Sequence, residues 1–139
     1  MPGARTLLVA NRGEIAVRIF ATGRRLGLRT AAVVGPGDEG ALHARVADVA
    51  VPVASYLDAG ALVAAAQETG AGLVHPGYGF LAESAAFAEA VIEAGPTWVG
   101  PPPAALRCGG DKLEAKRIAA AAGVPTLPTG AAEALGFPL

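Results

Sequence analysis

The sequence predicts an α/β fold in which helices cover both faces of a parallel sheet, and three observations lead to this prediction. Short continuous apolar runs, typical of strands buried on both faces, alternate with longer segments of helical periodicity. Gly27, Gly70 and Gly123 follow three of the helical segments, where glycine commonly ends a helix. The composition is 53% hydrophobic and 17% charged, which excludes a disordered chain. Alternating strands and helices of this kind build a doubly wound parallel sheet.

The first strand and helix are predicted over residues 6–27. Thr6 to Ala10 is an apolar run that fits a central strand. Asn11 is a favourable N-cap and Glu14 lies three residues later, so the pair predicts a capping box at the start of the helix. Gly27 ends that helix. Large apolar side chains recur along it and predict its buried stripe: Ile15, Ile19 and Leu26.

Four more strands and four more helices are expected downstream. The strands are residues 29–34, 46–53, 72–74 and 97–100, and Pro52 makes the third strand of the sheet an edge or irregular strand. The helices are residues 38–44, 58–69, 84–94 and 111–123. Asp58 and Asp111 are the expected N-caps of two of them, and Glu114 is a capping-box partner. His43, on the short helix, is expected at the surface.

The strands and helices divide into two predicted units. Residues 1–108 form one domain with its own core, and residues 109–139 begin a second, incomplete domain. The flexible Gly109-Gly110 pair separates them, shortly after three prolines at residues 101–103 have stopped the last strand. The chain ends at residues 136–139, where an apolar strand is expected to begin.

Charge and cysteine content limit the classes of partner and compartment. The net charge of −1 gives no general attraction to nucleic acid or membranes. No apolar run reaches the ~20 residues that span a bilayer, and the single cysteine, Cys108, excludes an internal disulfide. We therefore expect a soluble, cytoplasmic protein with neither a nucleic-acid nor a membrane partner.

The common catalytic motifs do not occur. Asn-Arg-Gly-Glu follows the first strand in place of Gly-x-Gly-x-x-Gly, and the second strand ends in glycine and proline, which argues against a dinucleotide. No phosphate loop and no Gly-x-Ser-x-Gly elbow occurs. His43 and His75 have no partner at a recognised spacing, so no metal site is predicted, and His75 is expected to be a hydrogen-bonded turn residue.

One loop and one lysine remain as candidate functional features. The loop His75-Pro76-Gly77-Tyr78-Gly79-Phe80-Leu81 follows the fourth strand, at the edge where parallel sheets bind ligands. Its glycines and aromatics indicate a site, although a plain tight turn explains them equally well. Lys112 stands at a glycine-to-helix transition, where a cation can reach a phosphate, but a solvated lysine is the simpler interpretation.

Four segments taken together are more specific than any single residue. They are Val9-Ala10-Asn11-Arg12-Gly13-Glu14-Ile15-Ala16, His75-Pro76-Gly77-Tyr78-Gly79-Phe80-Leu81, Gly110-Asp111-Lys112 and Ala122-Gly123-Val124-Pro125. In order and spacing, and over nearly the whole chain, they closely resemble the N-terminal part of biotin carboxylase.

The resemblance implies a Rossmann-like, pre-ATP-grasp domain followed by the start of the ATP-grasp region of a ligase. Such enzymes use ATP, bicarbonate and Mg2+ to form carboxyphosphate, which then carboxylates biotin on a carrier protein. Lys112 matches the family's ATP-contacting lysine, and Tyr78 and Gly79 match a loop beside the biotin pocket. The implied partners are the remainder of the ATP-grasp enzyme, the biotin carrier protein and the carboxyltransferase, which selects the acyl-CoA or keto acid.

The resemblance also implies limits. The family's ATP lid, metal-binding glutamates and catalytic arginine and lysine match no residue up to 139, so no catalytic residue and no separate activity are expected here. Ala21 and Arg25 replace an opposite-charge pair near the dimer contact of some bacterial members, which leaves homo-oligomer formation open. Two alternatives also stay open: a noncatalytic interaction domain that pairs with a separate ATP-grasp chain, and part of another ATP-grasp ligase.

Overall fold

A computed structural model describes residues 5–127 and contains a five-stranded parallel sheet in the order β3-β2-β1-β4-β5. The strands are β1 (Thr6–Val9), β2 (Arg29–Val34), β3 (Val49–Pro52), β4 (Ala71–His75) and β5 (Thr97–Trp98). The helices are α1 (Gly13–Arg25), α2 (Leu42–Val46), α3 (Ala59–Glu68), α4 (Ala85–Glu93), α5 (Pro103–Gly110) and α6 (Lys112–Ala121). This is the predicted Rossmann-like α/β class, with β3 as the predicted edge strand.

The core lies on both faces of the sheet. Leu8 and Val33 face Leu62 of α3 and Phe87 of α4 in one apolar cluster, where Phe87 packs edge-on against Trp98 with ring centroids 5.5 Å apart. On the other face, Val9 and Ala32 of the sheet pack with Ala16 and Phe20 of α1. Successive side chains of β1 therefore enter opposite clusters, as expected for a strand buried on both faces.

The buried stripe of α1 is not the predicted one. Its buried residues are Ala16, Phe20 and Gly23, whereas Leu26 is 72% exposed. A Cβ added at Gly23 would lie 3.1 Å from Leu7 Cδ2, so the small residues bring the helix close to the sheet. The larger side chains predicted for the stripe, Ile15, Ile19 and Leu26, lie beside it. They line an open apolar groove of about 550 Å³ together with Leu7, Leu28, Leu73 and Val99.

His43 is fully buried, which corrects the prediction of a surface residue. The short helix that carries it is Leu42–Val46 rather than residues 38–44, and β3 is correspondingly shorter, Val49–Pro52. The ring Nε2 lies 3.3 Å from the carbonyl oxygen of Val33, and Nδ1 has no hydrogen-bond partner among the described residues. A single helical turn carries too little periodicity for its inner face to be read from the sequence.

The segment after β5 contains a helix that the sequence analysis did not predict. Helix α5 begins at Pro103, where proline is favourable because the first N–H of a helix needs no partner, and it includes Gly109 and Gly110. The three prolines were interpreted only as the end of a strand, so this helix was not predicted. Cys108 lies exposed in this helix.

Helix α6 begins as predicted, but its capping box does not form. The Asp111 carboxylate accepts hydrogen bonds from Leu113 N at 2.8 Å and Glu114 N at 3.1 Å. The Glu114 carboxylate instead pairs with Arg117 at 2.6 Å, one turn along the helix. Gly123, with φ of +75°, follows the helix as expected. The strand expected at residues 136–139 lies outside the described residues.

None of the helices within residues 5–127 is both long and apolar enough to cross a bilayer.

Candidate functional site

The loops after β1 and β4 meet at the carboxyl edge of the sheet. The two strands are hydrogen-bonded neighbours, with Val9 opposite His75. The ladder continues past them, because Ala10 N donates to the His75 carbonyl oxygen at 2.9 Å. The loop that the sequence analysis selected is thereby placed directly beside the Asn-Arg-Gly-Glu turn, at the edge where open α/β sheets bind ligands.

Asn11 is the side chain that joins these two loops. It is only 2% exposed, and its Nδ2 donates to the carbonyl oxygens of Pro76 at 2.7 Å and Tyr78 at 2.8 Å. Its Oδ1 accepts from Arg12 N at 2.9 Å. The predicted N-cap role is wrong: Arg12 occupies the N-cap position of α1 and makes no side-chain capping bond. The Asn11 side-chain amide instead donates to carbonyl oxygens of the facing loop, which have no partner in a neighbouring strand.

Gly77 leaves the space that Asn11 fills. A Cβ at this position would lie 2.7 Å from Asn11 Nδ2, closer than non-bonded atoms approach. Gly77 and Gly79 also have φ of +67° and +64°, in the left-handed region that glycine tolerates best. The turn therefore favours glycine at both positions, and at Gly77 both the backbone angle and the available space demand it.

Tyr78 and Glu14 form a polar pair across the two loops. The Tyr78 hydroxyl donates to the Glu14 carboxylate, which lowers the pKa of Glu14 and raises that of Tyr78. Glu14 therefore serves the facing loop rather than the predicted capping box. The pair stands at an open cleft of about 430 Å³, whose lining residues come from both loops: Asn11, Arg12, Gly13, Glu14, Ile15, Tyr78, Gly79 and Phe80.

His75 is a hydrogen-bonded turn residue, as predicted. Its Nδ1 accepts from Gly77 N at 3.0 Å, which requires the neutral tautomer with the proton on Nε2. Burial lowers the pKa of His75 below its ordinary value of 6.5, because the charged imidazolium is poorly solvated there. The ring is therefore neutral near pH 7 and supports the loop through an accepted hydrogen bond.

A second polar cluster beside the cleft was missed by the sequence analysis. Arg12 Nη2 lies 2.6 Å from Asp38 Oδ1, and Tyr56 donates from its hydroxyl to Asp38 Oδ2 at 2.7 Å. The Tyr56 hydrogen bond, followed by Arg12, lowers the pKa of Asp38, while burial raises the pKa of Tyr56 to about 12. One feature of the sequence could have indicated this cluster: Asp38 follows the end of β2, at the same sheet edge as Asn11 and His75.

The family model of the biotin carboxylase N-terminal domain matches residues 3–106. The chain belongs to this family. Among curated proteins, the alpha subunit of mitochondrial methylcrotonoyl-CoA carboxylase from Oryza sativa subsp. japonica is 56% identical over 128 residues. The match covers 88% of this chain and 17% of that protein. Mitochondrial pyruvate carboxylase from Rattus norvegicus is 47% identical over 131 residues, covering 89% of this chain and 11% of that protein.

Solved structures match the fold as well. The biotin carboxylase domain of a single-chain bacterial carboxylase superposes with a TM-score of 0.88 and 47% identity, covering 91% of this chain and 31% of that one. The biotin carboxylase domain of the Hydrogenobacter thermophilus 2-oxoglutarate carboxylase, solved as a dimer with MgADP and bicarbonate, has a TM-score of 0.91 and 36% identity. That match covers 99% of this chain and 34% of the other.

The matched curated proteins are biotin-dependent carboxylases, and this chain corresponds to their N-terminal biotin carboxylase domain. It spans less than a fifth of the length of both relatives described above. Within this domain, Tyr78 and Gly79 line the cleft between the two loops. Lys112 is exposed at the first position of α6 and does not line that cleft, so the structure does not bring the three predicted site residues together.

Proposed function

We propose that this domain is the N-terminal part of a biotin carboxylase, which uses ATP and bicarbonate to carboxylate biotin on a carrier protein. The observation that carries the proposal is the family match over residues 3–106, which includes both loops of the cleft. The buried Asn11 amide supports it further, because it fixes the backbone that presents Tyr78 and Gly79. A loop whose geometry is already fixed binds its ligand at a lower cost in conformational entropy.

ATP and magnesium need more than this domain offers. Residues 5–127 contain no group of three His, Cys, Asp or Glu side chains arranged to hold a metal ion. Lys112 makes no ion pair or side-chain hydrogen bond to a described residue, so its ammonium group is free to meet a phosphate. Bound Mg2+ neutralises phosphate charge in such reactions. Because residues 5–127 offer Lys112 but no such metal site, we infer that the N-terminal domain is inactive by itself.

For biotin, the proposed contribution is one side of a pocket formed by Tyr78 and Gly79. Tyr78 is 58% exposed, although its carbonyl oxygen is bound by Asn11 and its hydroxyl by Glu14. An exposed side chain on a fixed backbone can contact a ligand without first losing much conformational freedom. The rest of the pocket would come from the remainder of the ATP-grasp enzyme.

The remaining assignments follow from the same proposal. Residues 1–108 are the Rossmann-like domain and residues 109–139 the start of the ATP-grasp region, although this boundary falls within α5. The biotin carrier protein and the carboxyltransferase are the proposed partners, and a homo-oligomer is an open possibility for the whole enzyme. A cytoplasmic location is our expectation, while several matched relatives are named as mitochondrial.

The proposal can be tested by measuring the activity of a fused enzyme. In it, residues 1–139 replace the matched region of the biotin carboxylase domain of the single-chain bacterial carboxylase. We expect the fused enzyme to hydrolyse ATP in a reaction that requires both bicarbonate and biotin. The 139-residue chain alone is expected to show neither this hydrolysis nor carboxylation of biotin. A folded but inactive fused enzyme, beside an active bacterial parent, would contradict the proposal.

Mixing the two parts as separate chains separates the proposal from an interaction domain. If the 139-residue chain restores activity to a separately expressed remainder, pairing between chains is sufficient and the noncatalytic interaction domain is favoured. Activity only after covalent fusion supports the N-terminal part of one enzyme. The bacterial parent, divided at the matched position, is the control for loss of activity through cutting alone.

A further inference from the structure

Tyr56 connects four loops at the carboxyl edge of the sheet. Its own loop follows β3, and its hydroxyl accepts a hydrogen bond from Gly35 N, after β2, at 2.8 Å. Through Asp38 it is linked to Arg12, after β1, and the Arg12 guanidinium lies 5.8 Å from the centre of the Tyr56 ring. The ring also contacts Phe80, after β4, at a centroid distance of 5.4 Å.

Phe80 has the unusual backbone conformation in this loop. Its φ is +45°, and within residues 5–127 no other residue except glycine has a positive φ. A bulky side chain is strained in this region and stays there only where its surroundings hold it. The Phe80 side chain is 44% exposed and its ring packs against Tyr56, so this contact is a side-chain restraint on the strained conformation, in addition to the backbone hydrogen bonds of the turn.

Side-chain contacts from other loops therefore hold this loop on both sides of Gly79. Asn11 binds the carbonyl oxygens of Pro76 and Tyr78 and fixes the first half. Tyr56 contacts the loop at Phe80, directly after Gly79, and fixes the second half. A Cβ added at Gly79 would meet no atom within 4 Å, so no side chain packs on this side of it, and its carbonyl oxygen accepts from Ala82 N at 2.9 Å. Its position therefore depends on how the residues on either side are held.

We propose that Tyr56 is a positioning residue for biotin, acting through Phe80 on the Tyr78–Gly79 segment. The proposal rests on the function proposed above. Tyr56 itself does not contact the substrate: its hydroxyl fixes the ring through Gly35 and Asp38, and the ring fixes Phe80. The segment that meets biotin thus depends on a side chain from the loop after β3. That loop lies outside the four segments that resemble biotin carboxylase.

The test uses Tyr56→Leu, which removes the ring and the hydroxyl, and Tyr56→Phe, which keeps the ring. In the fused enzyme, Tyr56→Leu is expected to raise the KM for biotin about five-fold or more, with the KM for ATP changed by less than about two-fold. Tyr56→Phe should give an intermediate KM, because the ring contact with Phe80 remains while the hydrogen bonds that fix the ring are lost. Because both residues act through one contact, Tyr56→Leu combined with Phe80→Leu should be no worse than the more harmful single variant.

Asp48→Asn is the matched control at the opposite edge of the sheet. Asp48 also accepts hydrogen bonds, from Thr30 N and Thr30 Oγ1 at 2.7 Å each, and also lies near an arginine, Arg24 at 3.7 Å. Its loss weakens the same domain away from the cleft, so the KM for biotin should not change. Equal effects of Asp48→Asn and Tyr56→Leu, an unchanged KM in Tyr56→Leu, or a Tyr56→Phe variant as impaired as Tyr56→Leu would each overturn the proposal.

Amide hydrogen exchange of the 139-residue chain separates this proposal from the proposed function. Tyr56→Leu should accelerate exchange of the Ala82 and Ser84 amides, which donate to the carbonyl oxygens of Gly79 at 2.9 Å and Leu81 at 3.0 Å, about ten-fold or more. Exchange at β1 should change only with global stability. Uniform acceleration along the chain would refute the positioning role, whatever the fused enzyme does. If the wild-type fused enzyme is inactive while the local acceleration is observed, the proposed function fails and Tyr56 still positions the loop.

Discussion

The side chain of Asn11 binds the backbone of Tyr78 although 67 positions separate the two residues. The Nδ2 to carbonyl oxygen distance is 2.8 Å, and the same nitrogen lies 2.7 Å from the carbonyl oxygen of Pro76. One buried amide group therefore satisfies two loop carbonyls that no strand can reach. A buried acceptor without a donor is costly, which makes this amide a structural requirement of the cleft.

Asn11→Ala should lower the free energy of unfolding by about 2–4 kcal/mol, because it leaves the buried Pro76 carbonyl and the partly buried Tyr78 carbonyl without their donor. Asn11→Asp is the sharper variant, since it keeps the size and Oδ1 but replaces the donor with a carboxylate facing two carbonyl oxygens. It should be at least as destabilising. Urea denaturation followed by Trp98 fluorescence measures both. An Asp variant with wild-type stability would disprove the donor role.

Alanine at Gly77 and at Gly79 should have unequal effects, although both residues have nearly the same φ. Gly79 has open space for a Cβ, so Gly79→Ala should cost only the left-handed backbone, about 1 kcal/mol. Gly77→Ala adds a contact of 2.7 Å with Asn11 and should cost about 2–4 kcal/mol. Denaturant midpoints of the two variants provide the comparison. Equal losses would mean that Asn11 moves aside freely.

The sheet was predictable because each strand is an apolar run bounded by turn residues. The glycine-rich loop was predictable as a candidate site because its glycines and aromatics follow a strand at the edge where parallel sheets bind ligands. The partners of Asn11 and Glu14 were not predictable, since local rules assign both side chains to a helix cap. Their actual partners lie in the loop after β4. Local spacing contains no information about which distant carbonyl or hydroxyl competes for a side chain. Tyr56 was overlooked for the same reason.

Acidification should loosen the cleft through His75. Because its folded-state pKa lies below its ordinary value of 6.5, the unfolded chain binds more protons between the two values. The stability associated with the neutral ring is thus fully present above pH 6.5 and is lost as pH falls through the folded pKa. Protonation of Nδ1 also removes the acceptor of Gly77 N. NMR titration should give a midpoint below 6.5, and on the acid side the Gly77 amide should have a lower protection factor relative to its intrinsic exchange rate at the same pH.

His75→Gln is the control for this pH effect. The variant lacks the titrating ring, so its unfolding free energy should lose the part of the acid dependence that His75 contributes. His43 remains in both proteins, so the comparison isolates the contribution of His75. A His75 midpoint at or above 6.5, or identical pH profiles of the two proteins, would show that burial of the ring does not disfavour its charge.

Lys112→Ala should separate ligand binding from folding. In the 139-residue chain the melting temperature should be nearly unchanged, because the exposed ammonium group binds no described side chain and surface substitutions usually change stability by about 0.5 kcal/mol or less. In the fused enzyme, a lost charged hydrogen bond to phosphate costs about 1.5–3 kcal/mol, so the KM for ATP should rise about ten-fold or more. The KM for biotin should stay near the wild-type value.

Lys116→Ala is the matched control for Lys112, because it removes the same charge from the same helix. Lys116 Nζ donates to the Leu127 carbonyl oxygen at 3.3 Å, so its loss removes a local contact rather than a proposed phosphate contact. The KM for ATP should then rise in Lys112→Ala and not in Lys116→Ala. Equal rises would assign the effect to the net charge of α6, since a general attraction to ATP depends on charge and not on one position. An unchanged KM in Lys112→Ala would instead remove Lys112 from the nucleotide site.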